Sequence, residues 1–82
     1  TKDAINKEKH GVSLTDAALI DWEAALIWQD TRQTYGETRM IALAPIRERL
    51  YCAVYVDRED YRRIISLRKA NYRELIQYSN QD

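Results

Sequence analysis

Apolar residues change their spacing twice along this chain. Before residue 25 they fall in small groups between polar residues. From Ala25 the period changes to two, and after Asn71 they return to a helical spacing. The stretch KDAINKEKHG predicts a short helix, capped by Asp3, with Ala4 and Ile5 as a small apolar patch. Gly11 then suits a left-handed C′ position ahead of the apolar Val12. SLTDAALIDW predicts a second helix. Ser13 with Asp16 three residues on resembles a capping box, and Leu14, Ala17 and Ile20 or Leu19 line the inner face.

Period two begins with ALIWQDTR, which sets Leu26, Trp28 and Asp30 against Ile27, Gln29 and Thr31. TRMIALAP follows and is closed by the only proline, Pro45. RLYCAVYV sets Leu50, Cys52, Val54 and Val56 opposite Tyr51, Ala53 and Tyr55, and YRRIISLR is the last candidate strand. The polar link DRED between these two predicts a hairpin turn, and short links throughout imply an antiparallel meander. Asn71, with Glu74 three residues later, predicts a capped final helix whose Tyr72, Leu75, Ile76 and Ser79 dock on the sheet. The expected fold class is α+β: a small twisted antiparallel sheet of three to four strands, two N-terminal helices and one C-terminal helix.

Composition bounds this picture. With 82 residues, the chain suffices for a single domain, 1–82, with one modest core. Thirteen cations balance thirteen acids, so global charge gives no sign of a polyanion partner. Local charge does. From Arg58 to Arg73 there are six cations against two acids, and such a patch attracts phosphate even on a neutral chain. The alternative is a solvated strand edge that resists aggregation. A single cysteine excludes an internal disulfide and a cysteine metal cluster, and it fits a reducing cytoplasm. No apolar run approaches the length of a membrane span, and no membrane partner is expected.

No phosphate loop, dinucleotide fingerprint, metal-spaced His or Cys set, or nucleophile elbow is present, so no metal and no cofactor are expected. Cys52 shares a strand face with apolar residues and reads as a small core residue. Tyr51 and Tyr55 share a face and suit either the core or base stacking. His10, the lone histidine, reads either as a helix C-terminal donor or as a proton carrier.

Three segments, NKEKHGVS, DTRQTYGETR and RRIISLRKANYRELIQY, together resemble the BrnT toxins, ribonuclease partners of BrnA antitoxins in bacteria. The matching positions are Asn6, Lys9, His10, Gly11, Val12 and Ser13, then Tyr35, Gly36, Glu37 and Arg39. The last segment adds Arg63, Ile64, Ile65, Ser66, Arg68, Lys69, Ala70, Glu74 and Tyr78. The family opens with a strand ending in Trp-Asp, directly before the point where this chain starts. That first strand is therefore expected to be missing here. The resemblance implies a RelE-like fold and an endoribonuclease that arrests growth. It also implies a ribbon-helix-helix, BrnA-like antitoxin as partner, with operator DNA reached only through that antitoxin.

Metal-free RNA cleavage uses the 2′-hydroxyl against the adjacent phosphate. It needs a base, a cation for the phosphorane and an acid for the leaving oxygen. Arg63, Arg68 and Lys69 are the candidate cations, since a guanidinium matches two phosphate oxygens and keeps its charge. Regular alternation places Arg63 with Tyr61, Ile65 and Leu67, and Arg68 on the other face, so the two converge only if the strand ends or twists. Glu37 is the candidate base, with a Glu37–Arg39 or Glu37–Arg63 ion pair as the structural alternative. Arg39 and Lys9 are candidate RNA-binding residues, and His10 borders the site as a catalytic candidate. Tyr78 packs or takes part. The competing readings are a non-catalytic antitoxin-binding domain acting in operon repression and a plain nucleic-acid-binding module.

Overall fold

The computed structural model describes residues 1–81. Helix α1 spans Lys2–His10, and two 3₁₀ segments follow at Leu14–Leu19 and Trp22–Ala24. Strands β1 (Leu26–Gln29), β2 (Met40–Ile46), β3 (Arg49–Asp57) and β4 (Arg62–Lys69) come next, and helix α2 (Tyr72–Ser79) closes the chain. The strands form one antiparallel sheet in the order β1-β2-β3-β4, the meander that the short links require. The fold is α+β, as the hydrophobic pattern predicts.

Each face of the sheet carries its own cluster. On one face Ala42, Ala44 and Ala53 leave room for the N-terminal segment to approach closely. Val12, Ala17 and Ile20 bury there against Tyr55 and Leu67. On the other face Ile41, Leu43, Leu50 and Cys52 bury under Trp28, Ala70 and Tyr78. The N-terminal segment and α2 thus lie on opposite faces.

Several local expectations change. Thr1, not Asp3, caps α1. Asp3 instead accepts from the Leu14 backbone N–H at 2.6 Å and from the Ser13 hydroxyl at 3.0 Å. The expected Ser13–Asp16 box is not seen among the described residues, and the Ser13 hydroxyl instead accepts from the Thr15 N–H at 3.2 Å. The second helix is 3₁₀, which suits a short segment held by tertiary packing. Pro45 lies within β2 rather than closing it, paired with Leu50. Gly11 does close α1 in the left-handed region, at φ 71°. The Asn71–Glu74 capping box forms in both directions.

Helix α2 turns its expected docking face outward. Tyr72 is 77% exposed, Leu75 44% and Ile76 43%. Glu74 and Tyr78, four residues apart, face the sheet instead. Glu74 takes both terminal nitrogens of Arg68, and the Tyr78 hydroxyl donates to the Ala24 carbonyl at 2.6 Å.

Strand β4 contains the feature that governs the site. Val54 pairs with Ser66 and Tyr55 with Ile64, so Ile65 is an unpaired extra residue, a β-bulge. Beyond a bulge the alternation inverts. Val56 pairs with Arg63 and Cys52 with Arg68, and these two β3 residues lie on one face. Arg63 and Arg68 therefore share that face, against the regular-strand expectation. Lys69 pairs with Tyr51 and falls on the opposite face.

Candidate functional site

The loop between β1 and β2 is organised by a buried acid. Asp30, 4% exposed, donates its N–H to the Arg39 carbonyl at 2.8 Å and so extends the β1–β2 ladder. Its carboxylate accepts from the Arg32 backbone N–H at 3.2 Å, from two nitrogens of the Arg32 guanidinium at 2.8 Å each, and from the Tyr35 hydroxyl at 3.1 Å. The Arg32 bonds hold the Asp30 carboxyl far below the ordinary carboxylate range, despite its burial. The same acid brings Tyr35 under Arg39, whose guanidinium carbon stands 4.2 Å from the ring centroid.

Arg39 leads to Glu37. The Glu37 carboxylate accepts from Arg63 at 2.8 and 3.1 Å and from Arg58 at 3.1 Å, with the Arg39 Nε at 3.8 Å. Three guanidiniums from the loop, the β3–β4 hairpin and β4 therefore surround one carboxylate, leaving an excess of positive charge. Within the described residues, the Nε–H groups of Arg39 and Arg63 are buried without an acceptor. Both arginines thus keep donors that Glu37 does not use. The loop itself borders a hollow of about 490 Å³ lined by residues from Gln29 to Thr38, Glu37 among them. Chemically this is a carboxylate set among guanidiniums, the side chain whose paired N–H donors match two oxygens of one anion.

The remaining candidates lie elsewhere. Arg68 shares the face of Arg63 but stands about 13 Å along the strand, at four residues of rise. It is bonded to Glu74 at 2.7 and 2.8 Å. Lys69 is not brought together with Arg63, because it projects from the other face. His10 and Lys9 line a separate hollow with Ile5, Asn6, Ile65 and Ser66 at the β4 edge, and neither bonds to Glu37 or Arg63 among the described residues. Tyr55, 1% exposed, is core, which removes it from base stacking. Burial pushes the Cys52 thiol up to about 11, so it is inert as a nucleophile.

Sequence reasoning did not place Asp30, Arg32, Tyr35 and Arg58 in the site. One signal was available: an Asp two residues before an Arg invites the turn in which its side chain takes the later backbone N–H. Arg58 carried no such signal, since it reaches Glu37 only through the hairpin.

The fold and this cluster define a small α+β protein with an acid–arginine centre at one end of its sheet. The family model of BrnT, the ribonuclease toxin of type II toxin–antitoxin systems, matches residues 1–74, and the chain belongs to that family. Neither a curated protein nor a solved structure matches the chain significantly. Among the described residues no helix is long and apolar enough to cross a membrane.

Proposed function

We propose that the chain is a metal-independent endoribonuclease whose centre is Glu37 with Arg39, Arg58 and Arg63. The reading is carried by one observation: a carboxylate held among three guanidiniums at an open end of the sheet. An RNA phosphate entering there takes the guanidinium donors and releases Glu37 from them. Glu37 then accepts the 2′-hydroxyl proton, the 2′-oxygen attacks phosphorus, and the bond to the 5′-oxygen breaks. Water in the open site protonates the leaving oxygen. The products are a 2′,3′-cyclic phosphate and a 5′-hydroxyl. Arg63 and Arg58 hold the charge that develops on the phosphorane. His10 and Lys9, beside Ser66 on the β4 edge, hold the strand that leaves this centre.

The test uses purified partner-free protein and labelled RNA in excess EDTA. Cleavage with cyclic-phosphate ends is expected. Glu37→Gln should lower it at least about a hundredfold, in the range of a lost general base. Arg63→Ala should lose about as much, as when one preorganised donor is removed. Arg63→Lys should recover only part, since an ammonium lacks the paired fork. Variants that melt like wild type but do not cleave support the assignment. Activity that follows only the folded fraction would make the cluster a structural ion-pair network.

In the cell the proposed substrate is cytoplasmic RNA. The proposed partner is a ribbon-helix-helix, BrnA-like antitoxin that covers this end of the sheet and carries the complex to operator DNA. Acidic side chains on that partner would complement the excess positive charge. Full-length chain expressed without its antitoxin should arrest bacterial growth, and free expression without arrest would count against a toxin.

A further inference from the structure

The cations of the chain fall into two sets. Lys7, Arg32, Arg39, Arg58, Arg62, Arg63 and Arg68 each pair with a carboxylate. Among the described residues Lys2, Lys9, Arg47, Arg49, Lys69 and Arg73 pair with none, and the fold gathers three of these six, Arg47, Arg49 and Lys69, in one place. They line a groove of about 480 Å³ at the β2–β3 hairpin, together with Ile46, Glu48 and Tyr51. Lys69 pairs with Tyr51, and Arg49 lies two residues before Tyr51 on β3, so all three share a face. Glu48 lines the groove without forming an ion pair among the described residues.

Arg47 adds an independent observation. It occupies the two-residue turn between Ile46 and Arg49 with φ 56°, in the left-handed region. That conformation costs a residue with a β-carbon about 1 kcal/mol, and Gly or Asn fills it with less strain. Strain kept at an exposed turn points to work done by the side chain it carries.

We infer that this groove is a second phosphate-binding site, which holds the backbone of single-stranded RNA beyond the nucleotides at Glu37 and Arg63. The inference rests on the ribonuclease reading above. Three cations against one carboxylate, beside a tyrosine, are the parts of a groove that tracks a sugar–phosphate backbone and stacks a base. A protein segment would also need apolar seating, and the lining offers only Ile46 besides Tyr51. The two sites stand at opposite ends of β3. Tyr51 marks one and Val56 the other, about 17 Å apart along the strand and on opposite faces. A dinucleotide reaches one site only, whereas a longer strand reaches both.

The test compares wild type with Arg47→Asn/Arg49→Gln, both substitutions suiting the local backbone. Two probes are used: a dinucleotide, read by cleavage, and a fluorescent RNA of about 16 nucleotides, at the upper end of known single-strand site sizes, read by anisotropy across a salt series in EDTA. The double variant should bind the long RNA about tenfold or more weakly at low salt. Its log–log salt slope should shallow by about 1.4, at about 0.7 for each single-strand phosphate that is no longer neutralised. Dinucleotide cleavage should be unchanged, which also shows that the variant folds. Arg47→Lys/Arg49→Lys should restore most of the slope.

Unchanged affinity and slope would overturn the second site and leave the ribonuclease reading standing. Salt-dependent binding through Arg47 and Arg49 without any dinucleotide cleavage would keep the second site and remove the catalytic reading. A wild-type chain that does neither removes both. A variant that loses affinity only for the antitoxin makes the groove a protein-docking site, and the inference falls.

Discussion

Asn6 closes the open edge of the sheet with one side chain. It is 5% exposed, and its amide donates to the Leu67 carbonyl at 2.8 Å and to the Val12 carbonyl at 2.7 Å. Its carbonyl oxygen accepts from the Leu67 N–H at 3.2 Å. The side chain thus reproduces a strand's pairing on the edge of β4 and pins α1 there. Asn6→Ala leaves three buried backbone groups without partners and should destabilise the fold by about 3 kcal/mol, seen as a lower denaturant midpoint at unchanged m. Arg47→Gly should act in the other direction, adding about 0.5–1 kcal/mol and raising Tm by a few degrees. Neither residue was legible alone. A polar residue in a polar helix reads as exposed, and its main partner lies 61 positions away. The hairpin at Arg47 likewise lacks the Asn-Gly or Asp-Gly signal that such turns display.

At the scale of elements, the pattern reveals what depends on neighbours in sequence and hides what depends on register. The segments proposed as strands, three or four of them, match the four that form, and the capping pair Asn71–Glu74 marks the start of α2. The β4 bulge was hidden, because Ile64 and Ile65 are both apolar and neither breaks the run. Yet that one unpaired residue puts Arg63 on the face of Arg68 and sends Lys69 to the other. The attachment of α2 was hidden too. Its apolar stripe suggested docking, but Glu74 and Tyr78 make the contact. Arg68→Ala therefore removes the partner of a half-buried Glu74 and should loosen α2 selectively. Hydrogen exchange should quicken across Tyr72–Ser79 while β2 and β3 stay protected. Tyr78→Phe, which loses a bond of about 1 kcal/mol, should have the same effect in smaller measure. Equal loss of protection in the sheet would show that α2 is part of the cooperative core.

At the scale of the molecule, three carboxylates hold three peripheral pieces of the chain in place. Asp3 ties α1 to the first 3₁₀ segment, Asp30 ties down the β1–β2 loop, and Glu74 ties α2 to β4. Each has its pKa lowered: Asp3 chiefly by the Leu14 N–H, Asp30 by Arg32 and Glu74 by Arg68. A carboxyl lowered in the folded state stabilises fully above its ordinary value, here 3.8 for Asp and 4.5 for Glu. That contribution is lost as pH falls toward the folded value. The sheet's apolar clusters and backbone ladders do not titrate. Acid should therefore release the periphery before it melts the sheet, starting below about pH 4.5 with Glu74 and continuing with the two aspartates. The two tryptophans separate these events. Trp22 packs in the N-terminal segment with its ring 5.2 Å from that of Tyr55, whereas Trp28 packs on the opposite cluster, the one that Tyr78 of α2 also covers. With Trp22→Phe, the Trp28 fluorescence should change at higher pH than the far-ultraviolet signal of the strands, and Glu74→Gln should abolish that early step. With Trp28→Phe, the Trp22 signal should change later, in the range of Asp3. Coincident transitions from both tryptophans and the strands would show instead that the periphery and the sheet unfold as one unit, with the loop that carries Glu37 held as firmly as the core.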